Sequence, residues 1–301
     1  LGLVITDEQH RFGVLQRSEL GEKGMAPHTL VMSATPIPRT LAMIIYGDLE
    51  ISVLNEMPKG RIPIRTYGVD TSYRERLYRF IRKYAERGFQ SYIVCPMIEE
   101  NASEKASATA YFRDLKENHF PDLPIGLLHG KMKQKEKDEV MRAFKNGEIT
   151  VLVSTTVIEV GVDVPNAVVM VIENAEQFGL SQLHQLRGRV GRGSEQSHCI
   201  LVTDSKTAYT KARIDTMIKT ADGFEIANED LRLRGPGDFF GSRQHGLPEL
   251  KIADIASDAD LLQETRLLAA EILEKDAWLA LPENEGLRVL VERLFRDTPL
   301  G

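Results

Sequence analysis

The run Val4-Ile5-Thr6-Asp7-Glu8-Gln9-His10 decides the fold class. A short apolar stretch stops abruptly at two carboxylates, the pattern of a buried strand whose carboxyl end opens on a ligand site. Asp7 there can hold Mg²⁺ through water, and Glu8 can orient an attacking water. The plainer alternative is a solvated strand end, and Gln9-His10 directly after the pair weighs against it. A second apolar run, Leu30-Val31-Met32, ends in Ser33-Ala34-Thr35-Pro36, with Pro36 and Pro38 stiffening the exit. Small hydroxyls can join neighbouring strand ends by short hydrogen bonds, and the distance from Asp7 suits the next strand of one sheet.

Further out, the same alternation continues. Strands are expected at Leu3–Ile5, Thr29–Met32, Ser91–Cys95, Ile125–Leu128, Thr150–Val153, Val168–Ile172 and Cys199–Val202. Between them lie helical patterns. Tyr73, Leu77, Phe80, Ile81 and Tyr84 share one face, with Gly88 placed to stop the helix. Val140, Met141 and Phe144 form another face, ended near Gly147. Val- and Ile-rich strands separated by helices imply parallel sheets covered on both faces. Asn55–Pro63, with two Pro and a Gly, reads as the approach to a linker, and a second sheet should run from about Arg65 to Asp204. Beyond it, Thr207–Thr220, Glu225–Leu233, Asp258–Leu273 and Glu285–Phe295 read as helices.

The chain has 301 residues, 42% hydrophobic and 27% charged, the balance of a soluble globular protein. No apolar run approaches the ~18–20 residues of a membrane span. The opening LGLVITDEQH has neither a basic leader nor an initiator Met, which suggests a piece of a longer protein. Net charge is −6, so overall balance does not announce nucleic acid; Arg187–Gly246 holds 10 Lys+Arg against 8 Asp+Glu, a mild local reversal. Lys251–Gly301 carries 6 basic and 11 acidic residues, which favours packing over DNA contact. Cys95 and Cys199 sit in strand-like runs and read as buried free thiols, far apart and without nearby His for zinc.

Two further stretches carry chemistry. Val151-Leu152-Val153 ends in Ser154-Thr155-Thr156, followed by Glu159, Gly161, Asp163 and Pro165. Thr155 and Thr156 can hold a DNA phosphate, Gly161 permits close backbone approach, and Asp163 can reach a nucleotide. Alone, the segment is equally a capped strand–helix loop. The last stretch is Gln182-Leu183-His184-Gln185-Leu186-Arg187-Gly188-Arg189-Val190-Gly191-Arg192-Gly193. Its three arginine forks suit phosphate recognition and charge stabilisation in phosphoryl transfer, and its glycines allow close approach. A solvated charged face is the alternative, disfavoured by the interleaved Gly.

In this order, DEQH, SAT, STTVIEVGVDVP and QLRGRVGR resemble motifs II, III, V and VI of superfamily 2 helicases and translocases. SATPIPRTLA, YGDLEISVLNEMP, CPMIEE, LLHGKMKQKEKDEVM and ENAEQFGLSQLHQLRGRVGRG narrow the resemblance to the RecG branch-migration helicases. DGFEIANEDLRLRGPGDFFGSRQHG resembles the translocation motif that those helicases share with the transcription-repair coupling factor.

The resemblance implies an α/β chain of tandem RecA-like parallel-sheet domains, the first truncated, then a helical hairpin and C-terminal helices. Implied boundaries are 1–62, 63–205, 206–248 and 249–301. Asp7 would bind Mg²⁺, Glu8 would be the catalytic carboxylate, and His10 would couple ATP state to Ser33 and Thr35. Gly161, Asp163 and Gln185 would meet the nucleotide, with Arg192 or Arg189 as arginine finger. Thr155, Thr156, Arg213, Arg232, Arg234 and Gln244 would serve DNA contact and translocation.

The implied activity is ATP-dependent remodelling of branched double-stranded DNA, such as stalled forks and Holliday junctions, in recombination and repair. ATP and Mg²⁺ are the implied cofactors. Branched DNA is the partner, with single-stranded-DNA-binding protein as a further candidate. A monomer in the bacterial cytoplasm, near the nucleoid, is implied. The alternatives are the coupling-factor translocase and a non-catalytic DNA- or partner-binding module. Two departures stand out: Thr6 replaces an expected aliphatic residue, and no glycine-rich phosphate loop with Lys-Ser/Thr occurs, a loop that precedes DEQH in the family. This chain alone should therefore hydrolyse little or no ATP, with or without forked DNA, in a phosphate-release assay; DNA-stimulated turnover would contradict that.

Overall fold

The computed structural model describes residues 1–7, 27–33, 51–54, 56, 60–96, 104–155, 163–234 and 259–295. Two strands, β1 (Leu3–Thr6) and β2 (His28–Val31), pair in parallel, with Thr6 opposite Val31. The main sheet has six strands: β3 (Arg65–Val69), β4 (Gln90–Val94), β5 (Ile125–Leu128), β6 (Val151–Ser154), β7 (Ala167–Ile172) and β8 (His198–Val202). Their order is β3-β8-β7-β4-β6-β5, and every pairing is parallel.

Strands β4, β6, β7 and β8 are buried along their whole length, which is why they read as unbroken apolar runs rather than alternating ones. Helices supply the cover. In α1 (Arg74–Glu86) the side chains of Leu77, Tyr78, Ile81 and Tyr84 turn inward, and Gly88 ends the chain's helical course at φ +84°. Leu115 and Phe120, after α2 (Glu104–Asp114), join Ile81, Ile93, Val153 and Val171 in one core. Helix α3 (Gln134–Lys145) contributes Phe144, fully buried against Tyr92 with ring centroids 4.8 Å apart. Burying each such side chain stabilises by roughly 1.5–3 kcal/mol.

The sequence pattern did not reveal β3. Arg65-Thr66-Tyr67-Gly68-Val69 is a half-exposed edge strand, made a strand by its pairing with β8. Gly68 also lets α5 (Ala208–Lys219) lie close: a Cβ there would stand 2.6 Å from Ile214 Cγ2. With α5 packed on β3, this compact unit comprises Leu1–Pro36 and Asn55–Ile226. It also contains α4 (Leu180–Arg187) and the start of α6 (Gly223–Arg234).

The second unit comprises Ile37–Leu54 and Ala227–Gly301. Its described part holds the rest of α6, α7 (Ala259–Lys275) and α8 (Glu285–Phe295). Asp276 builds the turn after α7, accepting from the Ala280 and Leu281 amides (2.8 and 2.9 Å) and from Asn284 Nδ2 (2.9 Å). Within this unit Leu261, Leu267, Leu268 and Leu273 are exposed among the described residues, as is Trp278.

Both cysteines are free. Cys199 is buried in β8, but Cys95 lies one residue past β4 and is partly exposed, a correction to its expected place inside a strand. Burial pushes both thiols up to about 12. Among the described residues no cluster of metal-ligating side chains occurs, and no helix is long and apolar enough to cross a membrane.

Two histidines tie stability to pH. His198 on β8 hydrogen-bonds the Tyr84 hydroxyl through Nε2 (2.8 Å), and burial lowers its pKa. Burial, helped by Arg187, brings His184 in α4 down to about 4. The unfolded chain's histidines protonate near pH 6.5, so below that value the unfolded state binds more protons than the folded one. The stabilisation is complete above about pH 6.5 and declines as pH falls toward 4, by about 3 kcal/mol for His184. Urea midpoints taken across that interval should fall with pH, and His184→Gln should flatten the decline.

Candidate functional site

Helix α4 and the loop after it place the arginines. The Gly179 amide donates to Gln182 Oε1 (3.0 Å) and its carbonyl accepts from Leu183 N (2.9 Å), fixing the first turn. Leu180, Leu183 and Leu186 are fully buried and anchor one face. Val190 anchors the loop between the arginines, also fully buried. Gly191 takes φ +79°, a region L side chains rarely adopt, and a Cβ on it would meet Ile64 Cγ1 at 2.7 Å. At Gly193 a Cβ would stand 2.5 Å from the Pro165 carbonyl oxygen. The Gly193 contact sets the loop against the segment before β7 and the Gly191 contact sets it against the segment before β3, whose Arg61 Nε donates to the Gly191 carbonyl (3.2 Å).

The three arginines have different surroundings. Arg192 is exposed, and its Nη1 lies 3.4 Å from Asp163 Oδ1. Arg189 and Gln185 are partly buried. Arg189, Arg192 and Asp163 all act electrostatically on Tyr92, whose hydroxyl burial raises to about 12. Arg187 departs from the expectation that all three forks serve phosphate. It is buried and bonded to backbone carbonyls of α5 and the residue after it.

The structure brings Asp163 and Arg192 together, and it sets Asp7 and Ser33 just beyond the ends of paired strands, where the Met32 amide donates to the Thr6 carbonyl (2.7 Å). Thr155 is fully buried, and its amide donates to the Leu128 carbonyl (3.1 Å). Its hydroxyl has no hydrogen-bond partner among the described residues, nor has His129 Nδ1 at the end of the neighbouring strand. Arg213 also turns inward: Nη1 donates to the Glu176 carbonyl (3.1 Å), and the guanidinium lies 5.4 Å from the Tyr209 ring centroid. Arg232 is exposed in a two-pronged pair with Glu229 (2.6 and 2.9 Å), and Arg234 closes α6. Glu8, His10, Thr35, Thr156, Gly161 and Gln244 lie outside the described residues.

One cluster escaped the sequence reading. Strands β4 and β7 are neighbours whose onward connections leave in opposite directions, the crevice where open α/β sheets usually take a ligand. Here it holds Glu173, almost wholly buried, which accepts from Arg74 Nη2 (2.8 Å) and the Tyr111 hydroxyl (2.7 Å). The Tyr111 hydroxyl in turn meets Tyr78 (3.2 Å). Burial works most strongly, to lower the Arg74 pKa, yet Glu173, Tyr111 and Tyr78 together outweigh it and the net shift is upward. Burial drives the Tyr111 hydroxyl far above its ordinary range. Its signal was a lone Glu closing a run of buried aliphatics, with partners 99 and 62 residues away.

Comparison with known proteins agrees with this geometry. The helicase conserved C-terminal domain family matches residues 72–194, and the family described as ATP-dependent DNA helicase RecG, domain 3, C-terminal matches 220–297. The chain is 55% identical over 277 residues to the ATP-dependent DNA helicase RecG of Synechocystis sp., covering 91% of this chain and 33% of the relative. It is 50% identical over 289 residues to RecG of Bacillus subtilis, covering 96% and 42%. The chain thus spans less than half the length of these relatives. A solved structure of RecG bound to a three-way DNA junction matches with 48% identity and TM-score 0.68, over 87% of this chain and 34% of that one. Saccharomyces cerevisiae Dbp5, at 17% identity and TM-score 0.51, shares the fold.

Gly193→Ala should cost about 1–3 kcal/mol, because a backbone carbonyl stands where the methyl must go. Gly286→Ala, in open space near the start of α8, should be neutral or gain up to about 1 kcal/mol. Thermal melting of the two variants checks the contrast.

Proposed function

The chain belongs to the RecG helicase family, and on that premise we propose that it supplies half of an ATP-driven motor that moves along branched double-stranded DNA. The observation that carries the reading is the exposed pair Arg192–Asp163 at 3.4 Å. An exposed ion pair is worth only about 0–1 kcal/mol, so a phosphate oxygen can displace the carboxylate at small cost. A guanidinium fork then meets phosphoryl oxygens in a geometry that lysine cannot match.

The residues present fit ATP and a hard cation. Arg192 offers a replaceable partner, and Asp7 offers an exposed carboxylate at a strand end. ATP, when bound with Mg²⁺, supplies the phosphoanhydride to be cleaved. In this reading Asp7 orients the cation's water shell and Glu8 orients the attacking water. Gln185, Arg189 and Arg192 hold phosphates from the second RecA-like domain, with Gly161 and Asp163 beside the nucleotide. His10, Ser33 and Thr35 relay its state. Thr156 takes the DNA phosphate contact that Thr155 is too buried to make. Arg213, Arg232, Arg234 and Gln244 belong to the segment that transmits movement to DNA, spanning 206–248. The RecG structure on a three-way junction supports branched DNA as the partner. We extend the reading to a cytoplasmic monomer acting in recombination and repair, with single-stranded-DNA-binding protein as an accessory partner.

Arg192→Ala in the full-length protein should lower ATP turnover by roughly 10³-fold or more while DNA affinity changes little. Steady-state turnover and forked-DNA binding titrations test it; turnover near the parent's would remove Arg192 from the reaction.

A further inference from the structure

Arg187 closes α4 and is only 4% exposed. Its Nη1 donates to the Met217 carbonyl (2.8 Å) and the Thr220 carbonyl (2.9 Å), and its Nη2 meets His184 Nδ1 (3.0 Å). Met217 lies in the last turn of α5, and Thr220 caps that helix. Their carbonyls belong to the set that a helix end leaves without internal partners, at the negative end of its dipole. Among the described residues no carboxylate pairs with Arg187, so these helix-end carbonyls are its compensation.

Both sides of this contact lead somewhere. On one side Gly188 follows directly, its carbonyl accepting from Arg192 Nε (3.4 Å), within the loop whose tip pairs with Asp163. On the other, Thr220 begins a short elbow. Its hydroxyl accepts from the Asp222 amide (3.0 Å), and Asp222 Oδ1 accepts from Phe224 N (2.7 Å) at the start of α6. Helix α6 crosses from the first compact unit, which ends at Ile226, into the second. Desolvating a guanidinium costs several kcal/mol, more than an apolar side chain of similar volume would. A fork locked on two main-chain carbonyls offers what an apolar side chain lacks: a directional tie to another helix.

We propose that Arg187 is a positioning residue that fastens the phosphate-facing loop to the α5–α6 elbow, so that displacement of the loop is delivered to α6. The proposal rests on the translocase reading. Its role differs from that of Arg192: loss of Arg187 should leave phosphate chemistry largely in place and disconnect it from work on DNA.

The test uses the full-length protein with Arg187→Lys, which keeps the charge but not the fork, and Arg187→Met, which keeps the volume. DNA-stimulated ATP turnover should stay within ~3-fold of the parent, while forked-duplex unwinding per ATP falls ~10-fold or more. Histidine NMR in Arg187→Met should show the His184 pKa rising from about 4, reporting the lost contact independently of activity. Unwinding per ATP near the parent's overturns the proposal, as does a parallel fall of turnover and unwinding, which would mark a merely structural role. Should Arg187→Met melt at the assay temperature, Arg187→Lys decides by the same ratio. An unsubstituted protein without DNA-stimulated turnover would overturn the translocase reading and the proposal with it, a result distinct from parental turnover with normal coupling in the variants.

Discussion

Six strands pointing one way is the constraint on which the rest depends. Parallel pairing obliges every connection to return over a face of the sheet, so β4, β6 and β7 are covered on both sides and can present chemistry only at their ends. All carboxyl ends then fall along one edge. Cys95, His129, Thr155 and Glu173 are the residues that immediately follow or close upon four neighbouring strands. Polar groups at such an edge must find partners or await them. Glu173 has found two, Arg74 and Tyr111.

Within that loop, environment rather than residue type sorts the arginines. Arg187 and Arg192 are five positions apart, yet one is sunk against helix-end carbonyls and the other is exposed beside a carboxylate. The glycines make this possible. Gly191 and Gly193 let the backbone lie against Ile64 and the Pro165 carbonyl, which holds Arg192 near Asp163 while Val190 stays in the core.

Much of the fold was legible because burial writes itself into composition. Ile125–Leu128 and Glu285–Phe295 carry the same limits in sequence pattern and structure, and other strands shift by one residue, since apolar runs do not mark where pairing hydrogen bonds stop. Strand β3 was not legible: Arg65, Thr66 and Gly68 carry no apolar signal, and its identity comes from β8 beside it. At the site, residue types were legible and partnerships were not. Asp163 and Arg192 each stood out, but their pairing is set by the fold of β7 and α4 between them. Arg187 looked like its neighbours because a sequence motif does not say which fork faces inward. Thr155 makes a related point: a hydroxyl at a strand end can point to solvent or into the packing, and here it is buried.

The two native thiols have a practical consequence. Burial keeps both in the protonated form at neutral pH, where the thiolate is the reactive species. Maleimide chemistry should therefore attack Cys199, deep in its strand, and Cys95 more slowly than a cysteine engineered onto the surface. A pair of dyes could be mounted on this segment ahead of its own sulfurs.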